Sequence, residues 1–393
     1  MRLVSRLAVA AVAAGLAFPG FAAWAAEPAQ TAVQTVKAAS ALLIDDRSGS
    51  VLLSKNADAP VPPASLAKLM TAEVVFEALE HKDVSLETAY PVSEYAWRTG
   101  GAPSGTSTMF ARIKSTPTVS DLLQGMIVQS ANDGAIVLAE GLAGSEQAFA
   151  EKMNARAREL GMTGSNFVNS TGLPAAGQKV TMSDLLKLAR HIHASHPDYY
   201  KYYAEPAFTW NNIMQRNRNP LLRLGADGMG TGYTQESGYA LVASVQRDGR
   251  RLFLALSGLE SVKDREEEAK RLIDWGMDGF DESRLYSAND YVGAAQVYGG
   301  DAASVPLKVG ADVELLLPKE GRDRIKARIV YRGPLMAPVA AGAEVGTLRV
   351  ELDGVVLQTA PLFAAAAVAK GSLPQRALGA ALEFSTGWAR KYL

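Results

Sequence analysis

Two short apolar runs, Ala41-Leu42-Leu43-Ile44 and Val51-Leu52-Leu53, flank the polar stretch Asp45-Asp46-Arg47-Ser48-Gly49-Ser50. Runs of this length around an Asp-Arg-Ser-Gly turn predict a β-hairpin. Leu66 to Leu79 is a strong helical run, entered through Pro62-Pro63, whose rings fix an extended approach and place Ser65 at the helix start. From Val119 to His193 helical signals dominate. Ser120 with Asp121 in its first turn predicts one start, and Ser145 another, running through Phe149, Met153 and Leu160 to Gly161. Ser183-Asp184 predicts a third, through Leu185, Leu186, Leu188, Ala189 and Ile192.

After Arg223 the rhythm changes to that of strands. Tyr239 to Val245 and Arg251 to Ser257 are apolar runs around Arg247-Asp248-Gly249-Arg250, a turn containing Asp-Gly. A helix is predicted from Asp264 to Gly276, with Glu266, Glu267 and Glu268 in its first part. Strands, then helices, then strands point to an α+β fold in which an antiparallel sheet is flanked by helices and shared by both sequence ends. Beyond Phe280, strand-like segments follow at Val305–Val309, Val313–Leu317, Ile325–Tyr331, Leu348–Leu352 and Val355–Leu357, with Asp353-Gly354 as a turn. No strong helix interrupts them, so residues 282–370 read as a small, separate all-β domain.

The two termini carry their own patterns. A basic start with Arg2 and Arg6, an apolar run from Leu7 to Phe18 and Ala23-Trp24-Ala25 have the anatomy of a secretory signal peptide cleaved after Ala25. Residues 1–25 are therefore set aside from the fold, leaving 26–281 as the main domain. In the tail, residues 371–393, Leu378, Ala381, Leu382, Phe384, Trp388, Tyr392 and Leu393 fall on one side of a helical wheel. Arg376, Glu383, Arg390 and Lys391 fall on the other. Such an amphipathic C-terminal helix suits an anionic membrane surface, the alternative being that it docks on the β domain.

Composition narrows the chemistry. The 393 residues are 48% hydrophobic and 21% charged with a net charge of −1, which gives no reason to expect nucleic acid as a partner. With no cysteine, neither disulfides nor thiolate chemistry is available. Ser65 and Lys68, three residues apart, share a helix face. A serine hydroxyl is a weak nucleophile until a base takes its proton, and lysine serves as base where burial or a second cation disfavours its ammonium form. The helix N-terminus favours negative charge developing on the serine oxygen. Ser-x-x-Lys alone is also what an N-capping serine and a surface lysine look like, so partners are needed.

Two stretches supply them. Ser130-Ala131-Asn132 follows an apolar helix, and a hydroxyl and a carboxamide facing a cleft can relay a proton and hold a substrate amide. Gly228-Met229-Gly230-Thr231-Gly232-Tyr233-Thr234 precedes a strand, with glycines that admit a second backbone. Together these resemble the Ser-x-x-Lys, Ser-x-Asn and Lys-Thr-Gly motifs of the penicillin-recognising serine enzymes. Within them the chain looks like the low-molecular-mass penicillin-binding proteins, the serine D-alanyl-D-alanine carboxypeptidases. Pro62 to Thr71, Asn169-Ser170-Thr171-Gly172-Leu173-Pro174, Asn217-Arg218-Asn219 and Arg265 to Ala269 carry that likeness further.

The resemblance implies a penicillin-binding, β-lactamase-like transpeptidase fold with a trailing β domain and a C-terminal anchor. It implies a periplasmic enzyme of cell-wall biogenesis that removes the terminal D-alanine from peptidoglycan pentapeptides and is inhibited by β-lactams. Ser65 would be the acylated nucleophile, Lys68 its base and Ser130 the proton relay. Asn132 would orient the donor peptide, Thr231 and Arg218 would meet the terminal carboxylate, and backbone N–H groups of Ser65 and Tyr233 would form the oxyanion hole. Gly230 and Gly232 complete the third motif, and no cofactor is implied.

Gly230 departs from the family pattern, standing where the lysine of Lys-Thr-Gly belongs. Its absence removes a charged hydrogen bond worth about 1.5–3 kcal/mol. It also removes a cation whose repulsion of Lys68, at about 5 Å and an effective dielectric of about 20, is on the order of 3 kcal/mol. Lys68 is then expected to be protonated more often. An alternative is therefore a weakened homologue that binds peptidoglycan or organises its synthesis; a β-lactamase is a third reading, disfavoured by the β domain and anchor. The four histidines, His81, His191, His193 and His196, offer no Ser-His-Asp triad beside Ser65. Residues two apart on a helix face different ways, so His191 to His196 read as a solvated helix end and no metal site is expected.

Overall fold

The computed structural model describes residues 36–320 and 322–377. The expected signal peptide and residues 378–393 of the expected amphipathic tail lie outside the described residues. The hairpin forms as β1 (Ser40–Asp45) and β2 (Val51–Lys55). A single 3-10 turn over Ala64–Ala67 then leads into α1 (Lys68–Glu80), so the nucleophile candidate sits in the turn and the lysine opens the α-helix. The helical layer continues through α2 (Glu94–Thr99), α3 (Val119–Val128), α4 (Asn132–Ala143), α5 (Glu146–Glu159), α6 (Met182–Ser195) and α7 (Pro197–Tyr200).

Two of the expected helix starts shift. Thr118 rather than Ser120 caps α3: its Oγ1 accepts from Asp121 N at 3.2 Å while Asp121 Oδ2 accepts from Thr118 N at 3.0 Å. Thr181 rather than Ser183 caps α6 by accepting from Asp184 N at 3.0 Å. In both, the acidic residue expected in the first turn stands three residues after the true cap, the spacing at which a backbone N–H reaches the capping oxygen. Ser145 caps α5 as expected.

Strands also begin earlier than Arg223. A small hairpin, β3 (Ala207–Trp210) and β4 (Ile213–Arg216), turns at Asn211 and Asn212, both at positive φ. Next come β5 (Ala226–Thr234), β6 (Gly238–Arg247), β7 (Arg250–Leu259) and α8 (Val262–Asp278). The glycine-rich stretch from Gly228 therefore lies within a strand instead of preceding one.

The sheet runs β2-β1-β7-β6-β5, antiparallel throughout, with Ser40 opposite Ser257. Both faces are covered. Leu42, Ile44, Val242, Phe253 and Ala255 point into a core shared with α1 and α3 to α6. Ala41, Leu43, Leu241, Ala243, Leu254 and Leu256 point to the other side, where α8 supplies Ala269, Leu272 and Ile273. A strand buried on both faces needs apolar residues at every position, which is why these segments read as unbroken runs.

Between Phe280 and Ala364 the chain is mainly strand: β8 (Phe280–Tyr286), β9 (Tyr291–Tyr298), β10 (Ser304–Val309), β11 (Val313–Pro318), β12 (Ile325–Val330), β13 (Leu335–Met336), β14 (Glu344–Leu352) and β15 (Val355–Ala364). Six of them form one sheet in the order β12-β14-β15-β10-β9-β13, and β11 pairs with β8. Their apolar sides make a separate core around Val305, Leu307, Leu315, Leu348 and Leu362. The β1–β2 turn touches this part: Leu316 N donates to Ser50 Oγ at 3.1 Å, and Gln358 Nε2 to Ser48 O at 3.3 Å. No helix among the described residues is long and apolar enough to cross a membrane.

Candidate active site

Ser65, Lys68, Ser130, Arg218, Gly230 and Thr231 line one cleft between the helical layer and β5. Lys68 Nζ lies 3.0 Å from Ser65 Oγ and donates to Thr171 O at 2.7 Å. The lysine is only 6% exposed. Burial pushes its pKa down to about 7, against the opposing pull of the Asp133 and Glu146 carboxylates. Desolvation alone brings it into the working range of a general base.

Two non-glycine residues at positive φ shape the cleft. Ala64, at φ 48°, precedes the nucleophile, and Ser130, at φ 60°, occupies the break between α3 and α4. Such conformations cost about 1–2 kcal/mol each for L-residues, so the surrounding packing must hold them. Around Ala64 that packing is very close. A Cβ at Gly172, itself at φ +81°, would lie 1.7 Å from Ala64 O. A Cβ at Gly232 would lie 2.9 Å from Ala64 Cβ and 3.2 Å from Ser65 N. Glycine is required at both positions by the approach of a second backbone. Gly230 differs: a Cβ there meets only Leu66 Cδ2, at 3.9 Å, so neither a backbone nor a side chain crowds the first atom of a side chain at this position.

The loop that carries Thr171 is fixed by buried polar contacts. Thr71 Oγ1 donates to Ser170 O at 2.7 Å, Ser170 Oγ donates to Glu146 Oε1 at 2.7 Å, and Gly172 N donates to Asn169 Oδ1 at 2.8 Å. Tyr95 donates its hydroxyl to the other Glu146 oxygen at 2.8 Å, and with burial this pushes its pKa up to about 12. Asp133 anchors the start of α4, accepting from Thr108 Oγ1, Met109 N, Ala111 N and Gly134 N.

The remaining expected site residues are placed as follows. Asn132 turns its Nδ2 to Thr106 Oγ1 at 2.9 Å, and its buried Oδ1 has no partner among the described residues. Arg218 reaches the cleft from the segment after β4, its Nε donating to Gln129 Oε1 at 3.1 Å. Tyr233, 55% exposed, packs against Tyr239 with ring centroids 4.3 Å apart. Residues without an assigned role in the sequence reading also contribute. Thr171 offers its carbonyl to Lys68, Tyr203 lines the cleft, and Asn219 Nδ2 ties the start of β5 by donating to Gly228 O at 2.7 Å. A backbone carbonyl has no sequence signature; Asn217-Arg218-Asn219 and Asn169 to Pro174 were the available signals.

No histidine lines the cleft among the described residues. His196 is not solvated, as the sequence reading had it: it is 1% exposed, because the chain turns at the end of α6 and folds the ring back onto α1.

Known proteins similar to this chain point to one family. Residues 25–259 match the family model of peptidase S11, described as D-alanyl-D-alanine carboxypeptidase, and residues 280–370 match that of the penicillin-binding protein 5 C-terminal domain. The chain is 36% identical over 367 residues to D-alanyl-D-alanine carboxypeptidase DacC of Escherichia coli, covering 92% of each chain. It superposes on penicillin-binding protein 5 from Haemophilus influenzae with a TM-score of 0.67 and 34% identity, covering 86% of this chain and 99% of that one. Penicillin-binding protein D2 from Listeria monocytogenes, solved in an ampicillin-bound form, matches with a TM-score of 0.54 and 30% identity over 62% of this chain and 99% of its own.

With Lys68 as the base, the rate of acylation should rise with pH and reach half its maximum near pH 7, because burial lowers the lysine from 10.5 to about that value. Stopped-flow acylation by a chromogenic β-lactam across pH 5–9 measures it; a midpoint above pH 9 would remove Lys68 from the role.

Proposed function

Because the chain belongs to the peptidase S11 family of D-alanyl-D-alanine carboxypeptidases, we propose that Ser65 is the nucleophile of its acyl transfer and Lys68 the base. One observation carries this reading: a buried amine with a pKa of about 7 sits 3.0 Å from a serine oxygen at a helix start. Ser65 Oγ attacks the carbonyl between the two terminal D-alanines as Lys68 Nζ takes its proton. Backbone N–H groups of Ser65 and Tyr233 hold the oxyanion, a type of stabilisation that is usually the largest electrostatic contribution to such catalysis. The close passage of Gly232 along Ser65 N supports that pairing. Ser130 returns a proton to the departing D-alanine, and water, activated by Lys68, frees the acyl-enzyme.

The substrate's terminal carboxylate meets Thr231 and Arg218, Asn132 Oδ1 receives a substrate N–H, and β-lactams acylate Ser65 in the same way. Residues 26–281 act as the enzymatic domain and 282–370 as its β appendage. A β-lactam adduct mapped by mass spectrometry should fall on Ser65 alone. Ser65→Ala should abolish both that adduct and D-alanine release from a pentapeptide while leaving the melting temperature nearly unchanged. An adduct on another serine overturns the assignment.

Gly230 tunes the rate. The open space beside it favours a site lacking one cation over one in which another side chain has filled in. Gly230→Lys should therefore speed acylation about tenfold to a hundredfold, equivalent to about 1.4–2.8 kcal/mol of transition-state stabilisation. It should also shift the pH midpoint down, since a second cation disfavours the Lys68 ammonium. Gly230→Ala is the uncharged control, and no gain for lysine over alanine would show that Arg218 already supplies the charge.

The enzyme works in the periplasm, exported by residues 1–25 and held to the outer face of the inner membrane by residues 371–393. The basic start, the Ala-x-Ala signal, and Trp388 and Tyr392 beside Arg390 and Lys391 support this placement. Truncation after Gly371 should release the protein from sedimenting anionic vesicles without loss of activity on a soluble peptide. Failure of the full chain to sediment would reject the membrane contact.

A further inference from the structure

Away from the cleft, α1 carries Glu73, Glu77 and Glu80 toward the end of α6 and the start of α7. Glu73 is fully buried, and Glu159 on α5 joins the group at the surface. Three of these carboxylates, Glu73, Glu77 and Glu159, share one permanent cation, Arg156. Its Nη2 lies 2.8 Å from Glu73 Oε1 and also contacts Glu77, and its Nη1 lies 3.0 Å from Glu159 Oε2. Glu73 is the one of these that is fully buried, and it faces Arg156, His191 and His196 together, a concentration of charged and metal-ligating groups around one carboxylate.

The two histidines turn ring nitrogens into the cluster. His196 lies between two carboxylates, Nδ1 2.6 Å from Glu80 Oε1 and Nε2 3.2 Å from Glu73 Oε2, so a metal ion taken up there replaces the Nε2 proton while Nδ1–H stays on Glu80. His191 Nε2 lies 3.0 Å from Arg156 Nη2, which can only donate, so it presents a lone pair. His196 Nε2 and Glu73 Oε2 are buried, 3.2 Å apart, and neither makes a hydrogen bond among the described residues. One donor atom from each of Glu73, Glu77, His191 and His196 lies within 4.8 Å of every other. A carboxylate on the far nitrogen of an inward-facing imidazole is the outer-shell arrangement that orients metal-bound histidine.

We propose that Glu73, Glu77, His191 and His196 form a binding site for a zinc-class divalent cation that clamps α1 to α6. Two imidazoles and two carboxylates suit zinc better than magnesium or calcium, which prefer all-oxygen shells. Closing the donors to tetrahedral spacing, about 3.3–3.6 Å for bonds of about 2.0–2.2 Å, takes a contraction of about 1 Å. Arg156 yields its place by moving outward to Glu159, which it already touches.

The test uses the full chain, stripped with a chelator and titrated with zinc chloride, magnesium chloride or calcium chloride. Zinc should remain after desalting at about one per chain by elemental analysis. At a hundredfold excess over Kd it should raise the melting temperature by about 5 °C, whereas magnesium and calcium leave it unmoved. His191→Gln, at a partly exposed position, should abolish retention. Glu80→Gln, which removes only the carboxylate behind His196, should weaken affinity about tenfold to a hundredfold. Arg156→Gln should tighten zinc binding by removing the competing cation. A cobalt-loaded chain should show the visible absorption of a four-coordinate site, lost in His191→Gln. No retained zinc together with an unmoved melting temperature overturns the proposal. So does zinc retention by Arg156→Gln alone, which would mean that the native guanidinium keeps metal out.

Discussion

Burial of the Lys68 amine is the constraint around which the catalytic half is arranged. A lysine in water is protonated and cannot take a proton from serine, while one buried without an acceptor is too costly to fold. The fold meets both demands with Thr171 O, 2.7 Å from Nζ. That carbonyl reaches Lys68 because its loop is bound through Ser170 to Glu146 and to Thr71, one helical turn beyond the lysine. The loop in turn approaches Ala64 so closely that Gly172 admits no side chain. The pKa of Lys68, the shape of the turn that carries Ser65 and a glycine more than a hundred residues away are therefore one problem with one solution.

β5 makes the same kind of approach from the opposite side. Gly232 presses on Ser65 and fixes the strand to the turn, whereas Gly230, two residues earlier on the same face, touches almost nothing. The two glycines serve different ends: the first is demanded by backbone contact, and the second leaves a space and a missing charge. Arg218 stands on the same cleft and is held by Gln129, so positive charge for a carboxylate is present even though it comes from a different segment.

Much of this was legible in the chain itself. The runs of β1, β6 and β7 announced strands buried on both faces, and Ser65, Lys68, Ser130 and Thr231 stood in stretches that resemble the family's motifs and that the fold brings to one cleft. What was hidden shares a physical cause: it depends on partners far along the chain. β4 is only four residues long, and its apolar pair Ile213-Met214 is exposed while Gln215 is buried, so the strand carries no apolar alternation to read. Glu73 and Glu77 read as ordinary polar positions on α1, and only α5 and α6 supply the arginine and histidines that make them a buried cluster. His196 looked solvated because the chain reversal at Pro197 that buries it has no periodic signal. The depth at which Lys68 is buried, the largest influence on its pKa, is likewise not written in a motif.

The strand order has a consequence for how the molecule comes into being. β1 pairs with β7, so the whole helical layer must be enclosed before the central sheet closes. Pairings this distant in sequence are entropically expensive and form late. Ser65 and Lys68 are synthesised early, yet the strand that presses Gly232 against them, and the sheet that seats that strand, come from near the end of this half. A nascent or partly folded chain thus holds Ser65 and Lys68 before the burial that lowers the lysine and the contacts that fix the turn are in place. The environment of these two residues is a property of the closed sheet and not of the segment that carries them.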